Sequence, residues 1–229
     1  MGNDIKKFLL VTEKDWHDDL FNKLSIQKGQ VWKRIYQKNE LSYKTINDFK
    51  PDWIFIPHWS YIIPPSVYLN FTCVVFHMTD LPFGRGGSPL QNLILRGYKE
   101  TKISAIRVTK GLDTGDVYLK KPLELNGKAQ QIFTKASDVI HDMILEIVEK
   151  NLTPIPQSGE ITLFKRRKPE DGNLFLLSSK IEVFDFIRML DCVGYPPAFI
   201  ETAHFKFEFT DAIFNNDETI KANVRIIKK

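Results

Sequence analysis

The chain has 229 residues, 43% of them hydrophobic and 26% charged, with a formal net charge of +4. That length suffices for one substantial domain and a small appendage, and the balance is that of an ordinary folded protein, which excludes a disordered or fibrous chain. The mild positive charge comes without a basic cluster interleaved with aromatics, so no nucleic-acid partner is expected, and two cysteines make no disulfide framework.

The start, Met1-Gly-Asn-Asp-Ile-Lys-Lys-Phe8, lacks an apolar signal core, and no run of about 18 apolar residues follows, so a cytoplasmic protein without a membrane partner is expected. Residues 8–12 form an apolar run suited to a buried strand, and 13–24 have helical spacing, with Trp16, Leu20 and Leu24 on one face. Further strands are predicted at 31–35, 53–56, 72–76 and 103–108, and helices at 42–48, 65–69 and 88–96. Ser88 is expected as the N-cap of the last of these, with Pro89 at the first helical position and Gln91 completing a capping box. Short apolar strands alternating with helices imply an α/β fold, a mostly parallel twisted sheet with helices on both faces in the Rossmann-like manner.

Beyond these, a strand at 117–123 and a long helix at 129–150 close the core, the helix carrying Ile132, Ala136, Val139, Ile140, Met143 and Ile147 on one stripe. Prolines 154 and 156 interrupt the pattern, a short strand fits 161–164, and the polar stretch 165–173 reads as a linker whose Lys165-Arg-Arg-Lys168 run is a solvated connection. The tail is expected to hold a helix at 182–190, a turn at Tyr195-Pro-Pro197 and strands at 204–209 and 220–227. Such a small α+β appendage needs the main domain for stability. The expected division is a catalytic domain over 1–165 and a C-terminal subdomain over 174–229.

Two loops carry the chemistry. His77 follows the apolar run Cys73-Val-Val-Phe76, and His77-Met-Thr-Asp-Leu-Pro-Phe-Gly-Arg-Gly-Gly-Ser-Pro89 leads straight into a helix, which sets His77 at the carboxyl end of a strand, where open α/β sheets hold ligands. Gly111-Leu-Asp-Thr-Gly115 leaves the next strand one helix-plus-strand excursion later, so Asp113 is expected at the same sheet edge. A histidine beside a carboxylate is a recurrent proton-transfer pair. The bland readings are a core histidine and a turn aspartate. The histidines and cysteines show no metal-ligand spacing, so no metal is expected, and Gly84-Arg-Gly-Gly87 lacks the Lys-Ser/Thr of a phosphate-binding loop.

Together the two loops resemble the formyltetrahydrofolate-dependent formyltransferase family, whose pattern is an Asn-x-His strand end, a Ser/Thr-x-Leu-Pro loop, an Arg-Gly-x-x-Pro helix entry and an Asp-x-Gly loop. All but the asparagine are present, and Val75 stands in its place. The resemblance implies a formyltransferase with 10-formyl-tetrahydrofolate as co-substrate and His77 and Asp113 as catalytic residues. Tyr61, Ile62, Ile63, Leu81, Pro82, Lys110 and Leu112 are then expected at the pterin. A valine donates no hydrogen bond to the formyl oxygen, and loss of one such donor costs about 2.7–4 kcal/mol. His58 is the expected substitute, with Thr79 second. The residues leave open whether His77 stabilises the oxyanion or accepts the amine proton, and whether Asp113 orients and polarises His77 or takes the proton through a water.

The acceptor is expected from the tail and from the Phe76–Ile94 run, which is similar to sugar-nucleotide N-formyltransferases of the pseudaminic-acid type and to peptide-synthetase formylation domains. The stretch after residue 173 is shorter than the tRNA-holding domain of methionyl-tRNA formyltransferases. The expectation is therefore formylation of a nucleotide-linked amino-deoxy sugar, with Arg85 and Gly86 at the substrate and Tyr195 available for stacking. The alternatives are a carrier-bound aminoacyl group, or a folate- or sugar-nucleotide-binding protein with impaired catalysis. A homodimer stays open.

Overall fold

The computed structural model describes residues 5–217 and 219–229, so the reading of the first four residues lies outside it. The elements in chain order are β1 (Lys6–Val11), α1 (Asp18–Ser25), β2 (Gln30–Ile35), α2 (Tyr43–Phe49), β3 (Trp53–Pro57), α3 (Pro65–Tyr68), β4 (Cys73–His77), β5 (Arg85–Gly86), α4 (Pro89–Leu95), β6 (Glu100–Arg107), β7 (Val117–Glu124), α5 (Ala129–Lys150), β8 (Leu163–Phe164), α6 (Lys180–Leu190), β9 (Ala198–Glu201), β10 (Phe205–Phe214) and β11 (Ile220–Lys228). The expected α/β fold forms, with a small sheet at the C-terminal end.

The chain divides into two compact units. The first runs as far as Gly86 and takes in Lys102–Leu123 and Thr134–Leu163; the second comprises Gly87–Thr101, Glu124–Phe133 and Phe164–Lys229.

The frame of the first unit is a six-stranded sheet in the order β2-β1-β3-β4-β6-β7. β1 is parallel to β2 and β3, and β3 to β4, so their carboxyl ends all open on one edge. The register of the last pair, Ile54↔Cys73 through Pro57↔Phe76, brings the residues that follow, His58 and His77, to the same level on neighbouring strand exits. β6 runs antiparallel to β4 and sets Ser104 opposite His77 and Ile106 opposite Val75.

β1, β3 and β4, inside the sheet, are buried on both faces, which is why they read as apolar runs. Leu9, Val11, Ile54, Ile56 and Cys73 face Ile46, Phe49 and Val67 of α2 and α3, and Trp59, Ile63, Val75 and Val108 pack against that same cluster. On the other parity Phe8 stacks on Trp32 with ring centroids 4.7 Å apart, and Phe55 lies 5.9 Å from Trp32. Burial of side chains of this size stabilises by about 1.5–3 kcal/mol each. The buried stripe of α5 includes Ile132, Ala136, Ile140, Met143 and Ile147, the spacing the sequence shows.

In the second unit α6 lies against the antiparallel sheet β11-β10-β9, with registers Phe209↔Val224 and Phe207↔Ile200. Its buried charge is satisfied. Arg188 donates to Asp185 at 2.6 Å and to the carbonyls of Leu125 and Gly127 at 2.8 and 3.0 Å, the condition under which a buried ion pair is tolerated.

α4 starts at Pro89, as expected, but not through a capping box. Ser88 adopts φ +51° and its hydroxyl accepts from the Arg167 N–H at 3.0 Å, while the Gln91 amide donates to the Met189 carbonyl at 3.1 Å. Both side chains serve tertiary bonds that local spacing does not reveal. No described helix is long and apolar enough to cross a membrane.

Candidate active site

His77 ends β4 and is buried. Its Nε2 lies 2.8 Å from the Gly84 carbonyl, which only accepts, so Nε2 carries the proton and Nδ1 is the free position. Nδ1 faces Asp113 Oδ2 at 3.6 Å, beyond direct hydrogen-bond length. The same Oδ2 accepts the Gly86 N–H at 2.9 Å. The expected pair thus forms, with the carboxylate fixed by backbone and the imidazole proton fixed by a carbonyl.

The loop 78–86 is pinned to hold this geometry. Ser104 Oγ donates to the Thr79 carbonyl at 2.7 Å and accepts the Leu81 N–H at 3.2 Å, and the buried Thr79 hydroxyl lies 3.4 Å from the Gly84 carbonyl. The Leu81–Pro82 bond is cis, Leu81 is fully buried, and Gly84 turns with φ +76°. Lys120 and Lys102 both bind Asp80, at 2.5 and 2.8 Å, and Lys120 also donates to the Leu81 carbonyl. Burial alone would raise the Asp80 carboxyl, but these two ammonium groups hold it below its usual value.

Gln157 is a residue that the sequence reading missed. Its amide nitrogen donates to the Asp113 and Gly115 carbonyls, both at 2.8 Å, and its oxygen accepts from Arg85 Nε and Nη2 at 3.2 and 2.8 Å. It ties the Asp113 loop to the glycine-rich bend, and at least two donors of Arg85 serve that tie. Gly115 is required by space, since a Cβ there would meet the Arg107 carbonyl oxygen at 1.7 Å. Gln157 sits beside two prolines in a stretch that reads as a turn, so local pattern carries no signal of its role.

The other expected residues are distributed as follows. His58 is half-buried on the β3 exit, with φ +48°. Burial, with Lys14 and His77 nearby, pulls its pKa down to about 3. Its Nδ1 lies 2.8 Å from His17 Nε2, and its Nε2 lies 3.0 Å from Met78 Sδ. His17, also missed, is fully buried; burial first, then His58 and Arg34, keeps it well below the usual histidine value. Tyr61 is 42% exposed, Ile62 81% and Leu112 65%, so the flank of the sheet edge presents apolar surface to solvent, and Lys110 is exposed beside it. Ile63 packs on the core cluster. Val75 contacts Leu81, Ile106 and Val117 and offers no donor. Tyr195 belongs to the second unit, its ring 5.5 Å from that of Phe133.

Known proteins match this chain in sequence and in fold. A model of the family described as formyl transferase matches residues 8–147. The chain belongs to the formyl transferase family. A second model, described as the C-terminal domain of methionyl-tRNA formyltransferase, matches residues 169–227 of this formyl transferase. Methionyl-tRNA formyltransferase from Clostridium thermocellum superposes with a TM-score of 0.95 at 45% identity, over 98% of this chain and 100% of that one. Methionyl-tRNA formyltransferase of Thermodesulfovibrio yellowstonii is 28% identical over 159 residues, 66% of this chain and 52% of the relative. The chain spans about half the length of the curated relatives it matches. A 4-N formyltransferase from Francisella tularensis superposes with a TM-score of 0.65 at 15% identity, over 96% and 97% of the two chains, a likeness of fold alone.

These findings uphold the formyl transferase assignment, and formyl-tetrahydrofolate as the expected formyl donor agrees with it. They overturn the expected acceptor. A nucleotide-linked amino sugar, a carrier-bound group or an impaired binder gives way, because the relatives with substantial identity are methionyl-tRNA formyltransferases and the sugar enzymes are distant. The exclusion of a nucleic-acid partner falls with it. That exclusion rested on the absence of a basic cluster interleaved with aromatics, and the case against tRNA on the shortness of the tail, yet the tail's helix and three strands fall within the match to the methionyl-tRNA formyltransferase C-terminal domain.

Proposed function

We propose that this formyl transferase moves the formyl group of 10-formyl-tetrahydrofolate to the α-amine of methionyl-tRNA, in the cytoplasm. The observation that carries the reading is the 45% identity, across both whole chains, to a methionyl-tRNA formyltransferase. The match of residues 169–227 to the C-terminal domain of such enzymes supports it from a separate part of the chain.

The folate supplies an activated formyl group. The exposed apolar side chains Tyr61, Ile62 and Leu112 beside the carboxyl edge of the sheet suit a flat ring that has one apolar face. Attack by a neutral amine requires removal of one of its protons. His77 Nδ1 takes that proton, because Nε2–H is committed to the Gly84 carbonyl, and returns it to the folate nitrogen as the tetrahedral intermediate collapses and the formyl C–N bond to the folate breaks. Asp113, 3.6 Å away, stabilises the imidazolium that results, and the Gly86 N–H keeps the carboxylate in place.

On the acceptor side, Lys165, Arg166 and Lys168 are exposed, and Lys221 and Lys228 lie exposed on β11. Such side chains bind phosphates through counterion release. The test is to incubate the chain with 10-formyl-tetrahydrofolate and methionyl-tRNA, hydrolyse the ester and weigh the amino acid. N-formylmethionine is the expected product, and unmodified methionine alone would overturn the acceptor.

A further inference from the structure

Beyond His77 and Asp113, the described residues hold a second buried chain of polar groups that ends at the same sheet edge. Ser137 Oγ of α5 lies 2.8 Å from His17 Nδ1, His17 Nε2 lies 2.8 Å from His58 Nδ1, and His58 Nε2 lies 3.0 Å from Met78 Sδ. The thioether has no hydrogen to give, so His58 Nε2 is the donor at that contact. A neutral His58 then has Nδ1 as an acceptor, which makes His17 Nε2 a donor, His17 Nδ1 an acceptor and the Ser137 hydroxyl a donor. Every bond of the relay then points toward Met78; the weak thioether sets the direction, and the His17 N–H at His58 Nδ1 is what holds His58 in its Nε2–H form.

The two rings are held as well as polarised. Their centroids are 5.0 Å apart, and Trp16 meets the His58 ring edge-on at 5.8 Å. His17 is fully buried, whereas His58 is only half-buried and so within reach of a ligand. Parallel register sets His58 level with His77 on the adjacent strand exit, and Met78 is the next residue after His77. A thioether is a weak acceptor, so exchanging it for an oxygen that gains negative charge strengthens the bond. Burial keeps both imidazoles neutral, which preserves the alternation of donor and acceptor.

We propose that Ser137, His17 and His58 form a one-way hydrogen-bond relay that presents His58 Nε2–H to the formyl oxygen as charge develops there. His58 touches the reacting group and is the catalytic member; His17 and Ser137 position it. The inference rests on the formyl-transfer reading for its substrate, but the relay itself can be read without turnover.

The test has two arms. The chain holds five histidines, so long-range 15N–1H correlation with single-substitution assignment resolves each ring. His17 and His58 are expected as neutral Nε2–H tautomers at pH 7, and His58 as a tautomer mixture in the His17→Leu variant. An Nδ1–H form or an imidazolium at either ring in the wild type overturns the relay. In formyl transfer from 10-formyl-tetrahydrofolate, His58→Ala is expected to lower kcat by about 10²–10³ with little change in KM. His17→Leu is expected to lower kcat by at least about 10-fold, the usual effect of losing a group that orients another. His17→Gln, whose amide can still donate to His58, recovers most of the loss. Wild-type kcat in His17→Leu, or an equal loss in His17→Gln, overturns the positioning role. An inactive wild type with the expected tautomers would count against the acceptor assignment and leave the relay standing.

Discussion

Acidification from pH 7 to pH 5 should destabilise this fold through its buried histidines. His58 has a pKa of about 3 in the folded chain against 6.5 for the free side chain. The folded form therefore resists the proton that the unfolded form takes up, so stability is complete above about pH 6.5 and is lost as pH falls toward 3. At pH 5 the unfolded chain gains about 1.5 pH units of protonation free energy that the folded chain does not, or about 2 kcal/mol from His58 alone. His17, also held low by burial, adds to the loss in the same direction. Asp80, which burial would raise but Lys102 and Lys120 hold low, loses its contribution only as pH falls below about 4. Glu13 behaves alike, as the Ser60 hydroxyl and Lys14 offset its burial. The pH 5–7 window thus isolates the histidines. Urea unfolding followed by circular dichroism at both pH values, on wild type and His58→Gln, gives the comparison. The wild type should lose about 2 kcal/mol more than the variant. An equal loss in the two proteins would refute the argument.

Three other perturbations follow from the same geometry. Asp113→Asn keeps the shape of the loop but removes the charge opposite His77, and should lower kcat by about 10²–10⁴ with unchanged thermal unfolding; a full-rate variant would remove Asp113 from the proton-transfer pair. Gly115→Ala forces a Cβ into the Arg107 carbonyl and should cost at least about 1–3 kcal/mol, read as a lower midpoint in urea; a wild-type midpoint would contradict the close approach. Lys165→Glu with Lys168→Glu should raise KM for methionyl-tRNA and flatten its dependence on salt, while KM for the folate stays constant; an unchanged salt slope would free these lysines of phosphate contact.

Where burial on both faces imposes apolar runs, as at Trp53–Pro57 and Cys73–His77, strands were legible, and the stripe on α5 gave its bounds directly. β9 was not, because Ala198–Glu201 is short and follows Tyr195-Pro-Pro197, which reads as a turn. The antiparallel direction of β6 leaves no mark in an apolar run. His77 and Asp113 were visible because each sits in a loop of distinctive residues. His17 was not, since it lies in a turn of helix-like spacing and its partners are 41 and 120 positions away. The acceptor was misread because length was taken as the property of the tail that matters, whereas the pattern of helix and strands over 169–227 carries the likeness.

The most direct test joins the site to the reaction. Single-turnover rapid quench of wild type and His77→Ala, each in excess over methionyl-tRNA with saturating 10-formyl-tetrahydrofolate, measures the transfer step itself. Rapid formation of N-formylmethionine in the wild type, slowed by at least about 10²-fold in the variant, is the result expected if His77 Nδ1 accepts the amine proton. Equal rates in the two proteins would contradict it.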